Sequence, residues 1–195
     1  RTTVVKDDGT QVVTVRDATG RVLRRSAYDA QGREIPLIDD TIPEQRVDVK
    51  NLPAADQLGK TRFSLRQIRM IPEVKDLAPV LPVDNITFAS GSAAIPRVEA
   101  ANRILARIHK SPGRIFLIEG HTDAVGTAPM NLTLSDRRAE SVAKALIEYY
   151  HVPAENLVVQ GYGESELLID TQASERANRR VVVRDITPLL RQARN

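Results

Sequence analysis

The chain has 195 residues, 27% of them charged and 42% hydrophobic, with 28 lysines and arginines against 25 aspartates and glutamates. That length holds one core of useful size plus an appendage, or two small domains, and the proportions are those of a soluble folded chain rather than a disordered one. The formal net charge is only +3 with the signs mixed, so there is no basic stripe of the kind a nucleic-acid binder carries. No run approaches the roughly 20 apolar residues of a membrane-spanning helix, so no transmembrane segment is expected. The absence of cysteine excludes disulfides and thiolate metal sites, and three scattered histidines leave little material for a metal centre.

Residues 1–40 read as a small antiparallel meander. Arg1-Thr-Thr-Val-Val is strand-like rather than leader-like, so a signal peptide would have to have been removed. Asp8-Gly9, Asp17-Ala-Thr-Gly20 and Asp29-Ala-Gln-Gly32 punctuate the stretches Gln11–Arg16, Arg21–Tyr28 and Arg33–Ile38. Aspartate bonds its own turn backbone and glycine supplies the positive φ of a tight hairpin turn. The charges nearly cancel here, which points to a structural or protein-interaction module. Residues 41–82 form a connector broken by Pro43, Pro53, Pro72, Pro79 and Pro82, with one short helix over Ser64–Met70 capped by Ser64. Its apolar residues Phe63, Leu65, Ile68 and Ile71 require cover.

From Asn85 onward strands alternate with amphipathic helices. Ile86–Ala89 is a short strand ended by Ser90-Gly91-Ser92, and Pro96 opens a helix with Val98, Ala101, Ile104, Leu105 and Ile108 on its buried face. Pro112-Gly113 leads into a strand over Arg114–Gly120. A long helix over Pro129–Tyr150 follows, with Ala139, Val142, Ala143, Leu146 and Tyr150 on one face. Leu157–Gln160 and Val181–Arg184 add two strands. The order β-α-β-α-β-β predicts an α+β fold, a mixed sheet with helices on one face.

The chemistry concentrates in Gly120-His-Thr-Asp-Ala-Val-Gly126 and the helix start after it. A loop leaves a strand with a carboxylate at Asp123, and Gly126 permits the sharp turn. Asn131, Ser135 and Arg138 fall on one helical face, and the apolar positions opposite dock on the sheet. This spacing predicts an exposed ledge with a carboxylate on the loop and a guanidinium on the helix. Such a pair suits a zwitterion, with an ammonium on Asp123 and a carboxylate in the planar fork of Arg138.

Gly120-His-Thr-Asp123, Asn131, Leu134-Ser135, Arg137-Arg138-Ala139, Gly161-Tyr-Gly-Glu164 and Asn178-Arg-Arg-Val181 together resemble the OmpA-like peptidoglycan-binding domain family. The resemblance covers about Val83–Ile186. It implies non-covalent binding of peptidoglycan through the meso-diaminopimelate of the peptide stem, gripped by Asp123 and Arg138 with Thr122, Asn131 and Leu134 near them. It also implies a periplasmic place, tethering the outer membrane or an envelope complex to the wall, with no cofactor. Met130 stands where many relatives carry an aromatic residue, which alters a pocket wall and leaves the charges. The division that follows is a meander at 1–40, a proline-rich connector at 41–82, the OmpA-like domain at 83–187 and a tail at 188–195.

Each residue has a plainer role available. Asp123 can cap a helix or its entry turn, and Arg138 can be a surface arginine pairing with Asp136 or in the neighbourhood of Glu140. Glu119, His121 and Asp123 alternate along a strand end, but one histidine with two carboxylates is weak as a metal set. Arg179-Arg180 reads as a structural strand start, and His109 and His151 as helix-end residues. A cell-wall amidase or glycosidase needs a metal cluster, an activated nucleophile or a carboxylate pair across a cleft, and no such motif is visible. An envelope-protein partner docking on the N-terminal region is the other alternative, compatible with the first.

Overall fold

In the computed structural model, residues 1–18, 22–41, 44–54, 63–81, 86–94, 101–110 and 113–190 are described. The expected turn at Gly20, the start at Arg21, and Pro43, Pro82, Pro96, Val98 and Pro112 lie outside them, as do the side chains of Ala101 and Ile104. The chain divides into two compact units, one of residues 1–79, 113–115 and 186–195, the other of residues 80–112 and 116–185.

The first unit opens with a four-stranded antiparallel sheet in chain order, β1 (Thr2–Val5), β2 (Gln11–Arg16), β3 (Val22–Tyr28) and β4 (Glu34–Asp39). Its turns work as their sequence requires. Asp8 accepts from the Thr10 amide at 2.9 Å, and Asp29 accepts from the amides of Gln31 and Arg33 at 3.0 and 2.9 Å. Gly9 and Gly32 sit at positive φ, 81° and 76°. Ser64 caps α1 (Leu65–Met70) as expected, and the structure adds a full capping box with Gln67; α2 (Pro72–Lys75) follows with proline in its first turn. Phe63, Leu65 and Ile68 are buried, so the connector is packed rather than loose. The end of the described chain returns to this unit, where the Phe63 amide donates to Leu189 O at 2.8 Å and Leu189 and Leu190 are fully buried.

The second unit has a mixed sheet in the order β5-β8-β6-β7, with β5 (Ile86–Thr87), β6 (Phe116–Gly120), β7 (Leu157–Gly161) and β8 (Arg180–Asp185). β6 runs parallel to β7 and antiparallel to β8. α3 (Ala101–Lys110) and α4 (Ala128–Tyr150) complete the β-α-β-α-β-β order; α4 and the strands β6, β7 and β8 lie within about two residues of their predicted bounds, β5 is shorter, and the expected α3 start at Pro96 lies outside the described residues. Phe116 and Ile118 of β6 meet Ala139, Val142, Ala143 and Leu146 of α4 in one apolar cluster with Ile86, Phe88, Val181 and Val183. Each large side chain so buried contributes about 1.5–3 kcal/mol.

Helix and sheet approach very closely at one end. A Cβ added at Gly120 would stand 1.9 Å from Ser135 O, and one at Gly161 2.4 Å from Ser135 Oγ. No side chain fits either place, so both positions on the paired strands β6 and β7 must be glycine. That contact delivers the loop after β6 onto the first turns of α4.

Candidate functional site

The loop after β6 is fixed at both ends. The His121 amide donates to Arg180 O and the Thr122 amide to Gly163 O, each at 2.9 Å. Gly126 takes φ 111° and the chain turns into α4 behind Thr127, the helix N-cap. Asp123 therefore does not cap the helix. Its carboxylate Oδ2 instead accepts from Arg179 Nη1 at 2.7 Å, and from Ser174 Oγ and the Glu175 amide at 3.3 Å. Burial by itself would raise this carboxyl. The Arg179 bond, the Glu175 amide and the Arg179 charge outweigh it and hold Asp123 below its ordinary value, so it is ionised at neutral pH.

Arg138 corrects the expectation of an exposed ledge. Its side chain has no solvent exposure, and Asp123 keeps only 5%. Arg138 Nε donates to Ser92 O at 2.9 Å, Nη1 to His121 O at 3.0 Å and Nη2 to Ala89 O at 3.1 Å. The guanidinium also lies 5.2 Å from the centre of the Phe88 ring. Burial pulls its pKa down to about 10, against the pull of the Asp123 charge, so it remains a cation at neutral pH. It does not pair with Asp136, whose Oδ1 accepts from the Gly161 amide at 2.7 Å. The reason for the correction is that the polar face of α4 is covered by loop backbone. Ser135 Oγ accepts from the Gly163 amide at 2.8 Å, and Asn131 donates to Glu164.

The other expected residues assemble here. Thr122 is buried, and its hydroxyl finds no hydrogen-bond partner among the described residues. Leu134 is half-buried, while Met130 is 69% exposed, and Leu132 and Val125 are exposed as well. Two participants were not expected. Arg179 was assigned a structural role, and Ser174 none. Arg179 follows the Asn178 that fastens the preceding loop, whose Oδ1 accepts from the amides of Leu168 and Ile169. The only sequence signal was the Asn-Arg-Arg motif itself.

Glu119, His121 and Glu166, rather than Asp123, form the group with metal-ligating atoms in reach, all within 4.8 Å of one another. Arg184 Nε lies 2.6 Å from Glu119 Oε1, and the Arg180 charge acts on both Glu119 and Glu166. Two arginines thus already supply the positive charge a divalent cation would bring, and the chemistry of the donor set does not favour one.

Residues 87–180 match the model of the OmpA family. Outer membrane porin F of Pseudomonas aeruginosa is 44% identical over 72 residues, 36% of this chain and 21% of the porin. Outer-membrane lipoprotein YfiB of the same organism is 46% identical over 68 residues, 34% of this chain and 40% of the lipoprotein. The chain thus spans less than half the length of either relative. Among solved structures, the peptidoglycan-associated lipoprotein from Burkholderia pseudomallei aligns at 27% identity and a TM-score of 0.43, over 52% of this chain and 89% of that one. No described helix is long and apolar enough to cross a membrane. The second unit of this chain belongs to the OmpA family.

Proposed function

We propose that the second unit binds peptidoglycan without covalent chemistry, through the diaminopimelate of the peptide stem, and so tethers an envelope component to the wall from the periplasmic side. The observation that carries this reading is a buried, ionised Asp123 beside two guanidinium groups, on the loop where the family motif stands. The far end of diaminopimelate holds an ammonium and a carboxylate on one carbon. Asp123 takes the ammonium and Arg138 contributes positive charge for the carboxylate. Thr122, Asn131 and Leu134 complete the pocket, and the unpartnered Thr122 hydroxyl is suited to a ligand polar group. The relatives named above are outer-membrane proteins, which agrees with an envelope role. The binding module is taken as residues 83–187, and the sheet at 1–40 is left for an envelope-protein partner.

Pelleting with purified sacculi tests the reading. The intact chain should sediment with the wall and release no soluble fragments. Asp123→Asn keeps the shape and removes the charge, and should weaken sedimentation about tenfold or more, as expected for loss of a charge-assisted bond. Undiminished sedimentation of a folded Asp123→Asn protein would remove Asp123 from the site. Fragment release would make the protein an enzyme.

A further inference from the structure

We propose that Arg179 is the residue that makes this site selective: it receives the carboxylate of an incoming zwitterion while Asp123 takes the ammonium. The inference rests on the peptidoglycan reading above and goes further in naming which guanidinium touches the ligand.

The two arginines differ in what they have left to offer. Arg138 is fully enclosed, with each of its nitrogens donating to a carbonyl, Ser92, His121 or Ala89. A carboxylate reaches it only if those loops open. Arg179 keeps 12% of its side chain exposed. Its Nε donates to Phe88 O at 3.1 Å and its Nη1 to Asp123 Oδ2 and to Ser174 Oγ, at 2.7 and 3.0 Å. Nη2 makes no hydrogen bond among the described residues, so a donor stands beside the Asp123 carboxylate with nothing to bind. A guanidinium carries five N–H donors in one plane, and Arg179 uses fewer than that.

The pairing of Asp123 with Arg179 also sets what may bind. An ammonium seated on Asp123 competes with Arg179 for the same oxygen. If the ligand brings a carboxylate on the same carbon, Arg179 exchanges one anion for another and four charges alternate. If the ligand ends in lysine, Arg179 is displaced and gains no partner in a nearly dry site, which is costly. The same side chain therefore attracts the zwitterion and rejects the simple amine, the two halves of specificity.

Calorimetry on the intact chain with matched stem peptides ending in diaminopimelate or lysine tests this. The wild type should prefer diaminopimelate by roughly ten- to a hundredfold, the value of one charge-assisted hydrogen bond. Arg179→Gln should bring the two affinities to within about threefold of each other, by weakening one and relieving the other. Arg179→Lys keeps the charge without the planar fork and should give an intermediate ratio. An Arg179→Gln protein that keeps the wild-type ratio overturns the inference and leaves peptidoglycan binding standing. Should Arg179→Gln fail to fold, an unchanged ratio in Arg179→Lys overturns it equally. Equal wild-type affinities for both peptides also overturn it, whereas a wild type that binds neither peptide removes the peptidoglycan reading itself.

Discussion

The turns of the first unit and the site of the second use polar side chains in different ways. The first unit buries Asp39, Asp40 and Lys75, but its sheet turns leave charge open to water, as in the Asp29–Arg33 pair, where the arginine is 78% exposed. In the second, Glu119, Asp123, Arg138 and Asp185 are at most 5% exposed, and each is engaged, Arg138 by hydrogen bonds to backbone carbonyls and by the Phe88 ring. Glycine follows the same division. Gly32 supplies a positive φ in a turn with nothing within 4 Å, while Gly120 lets helix and sheet touch. The turns of the first unit use these residues to shape the chain locally. The second uses them to hold charge inside a folded site, where pairing and enclosure decide the energetics.

Glycine substitution gives the largest test of that contrast. Gly120→Ala puts a methyl carbon 1.9 Å from the Ser135 carbonyl, on a backbone that cannot swing aside. Separating α4 from β6 should cost upwards of about 3 kcal/mol, beyond the usual range for an overpacked core. Gly32→Ala meets no neighbour and carries only its left-handed φ of 76°, so about 1 kcal/mol is expected. Urea denaturation of the two variants should separate them clearly. Equal losses would mean that α4 yields at its N-terminal turns.

Arginine gives the next. Arg138→Met takes the Arg138 donor from the buried carbonyl of His121 and from the part-buried carbonyls of Ser92 and Ala89, the last of which keeps the Ser92 amide. At about 1–3 kcal/mol for one buried unpaired acceptor, with water able to reach the loop carbonyls, a loss of about 2 kcal/mol is expected. Arg33→Ala in the first unit should change stability by less than about 0.5 kcal/mol, because an exposed pair is worth little. If Arg138→Met is as mild as Arg33→Ala while sacculus binding disappears, Arg138 is a ligand contact and not a fastening of the loops around it.

Much of this was legible from residue order. The Asp-Gly turns gave the antiparallel sheet, Ser64 gave the start of α1, and helical spacing gave α4 and its buried apolar face. The site was legible in part. Motif and spacing brought Asp123, Asn131 and Arg138 to one region. Helical period cannot say that a polar face is covered, because the cover comes from loops distant in sequence. Arg179 reaches Asp123 from 56 residues away, and Arg138 reaches Ala89 from 49. The close approach at Gly120 and Gly161 is likewise a property of two strands and a helix together. Neither glycine stands in a turn where its need would show locally.

The smallest expected effect is a pH dependence that belongs to the second unit. His121 is 1% exposed, stacked on Tyr162 with ring centres 5.6 Å apart, and its Nε2 lies 3.7 Å from Glu119 Oε2. Burial lowers its pKa, the nearby Glu119 carboxylate and the Glu166 charge partly restore it, and the Arg180 charge lowers it again. The net value lies below the ordinary 6.5. In the unfolded chain the imidazole titrates normally, so between the two values the unfolded state binds a proton that the folded state refuses. Stability is then fully present above about pH 6.5 and falls as pH drops from there toward the folded value. Asp123 has the same sign, but its loss begins only in the carboxylate range near 3.8, so about pH 7 to about pH 5 isolates the histidine. Urea midpoints should decline over that interval in the wild type and decline less in His121→Phe, which keeps a ring against Tyr162 and cannot take a proton. A His121→Phe protein whose midpoint falls as steeply as the wild type's would show that His121 is protonated as readily inside the fold as outside it. The two arginines beside Glu119 would then not exclude a third positive charge.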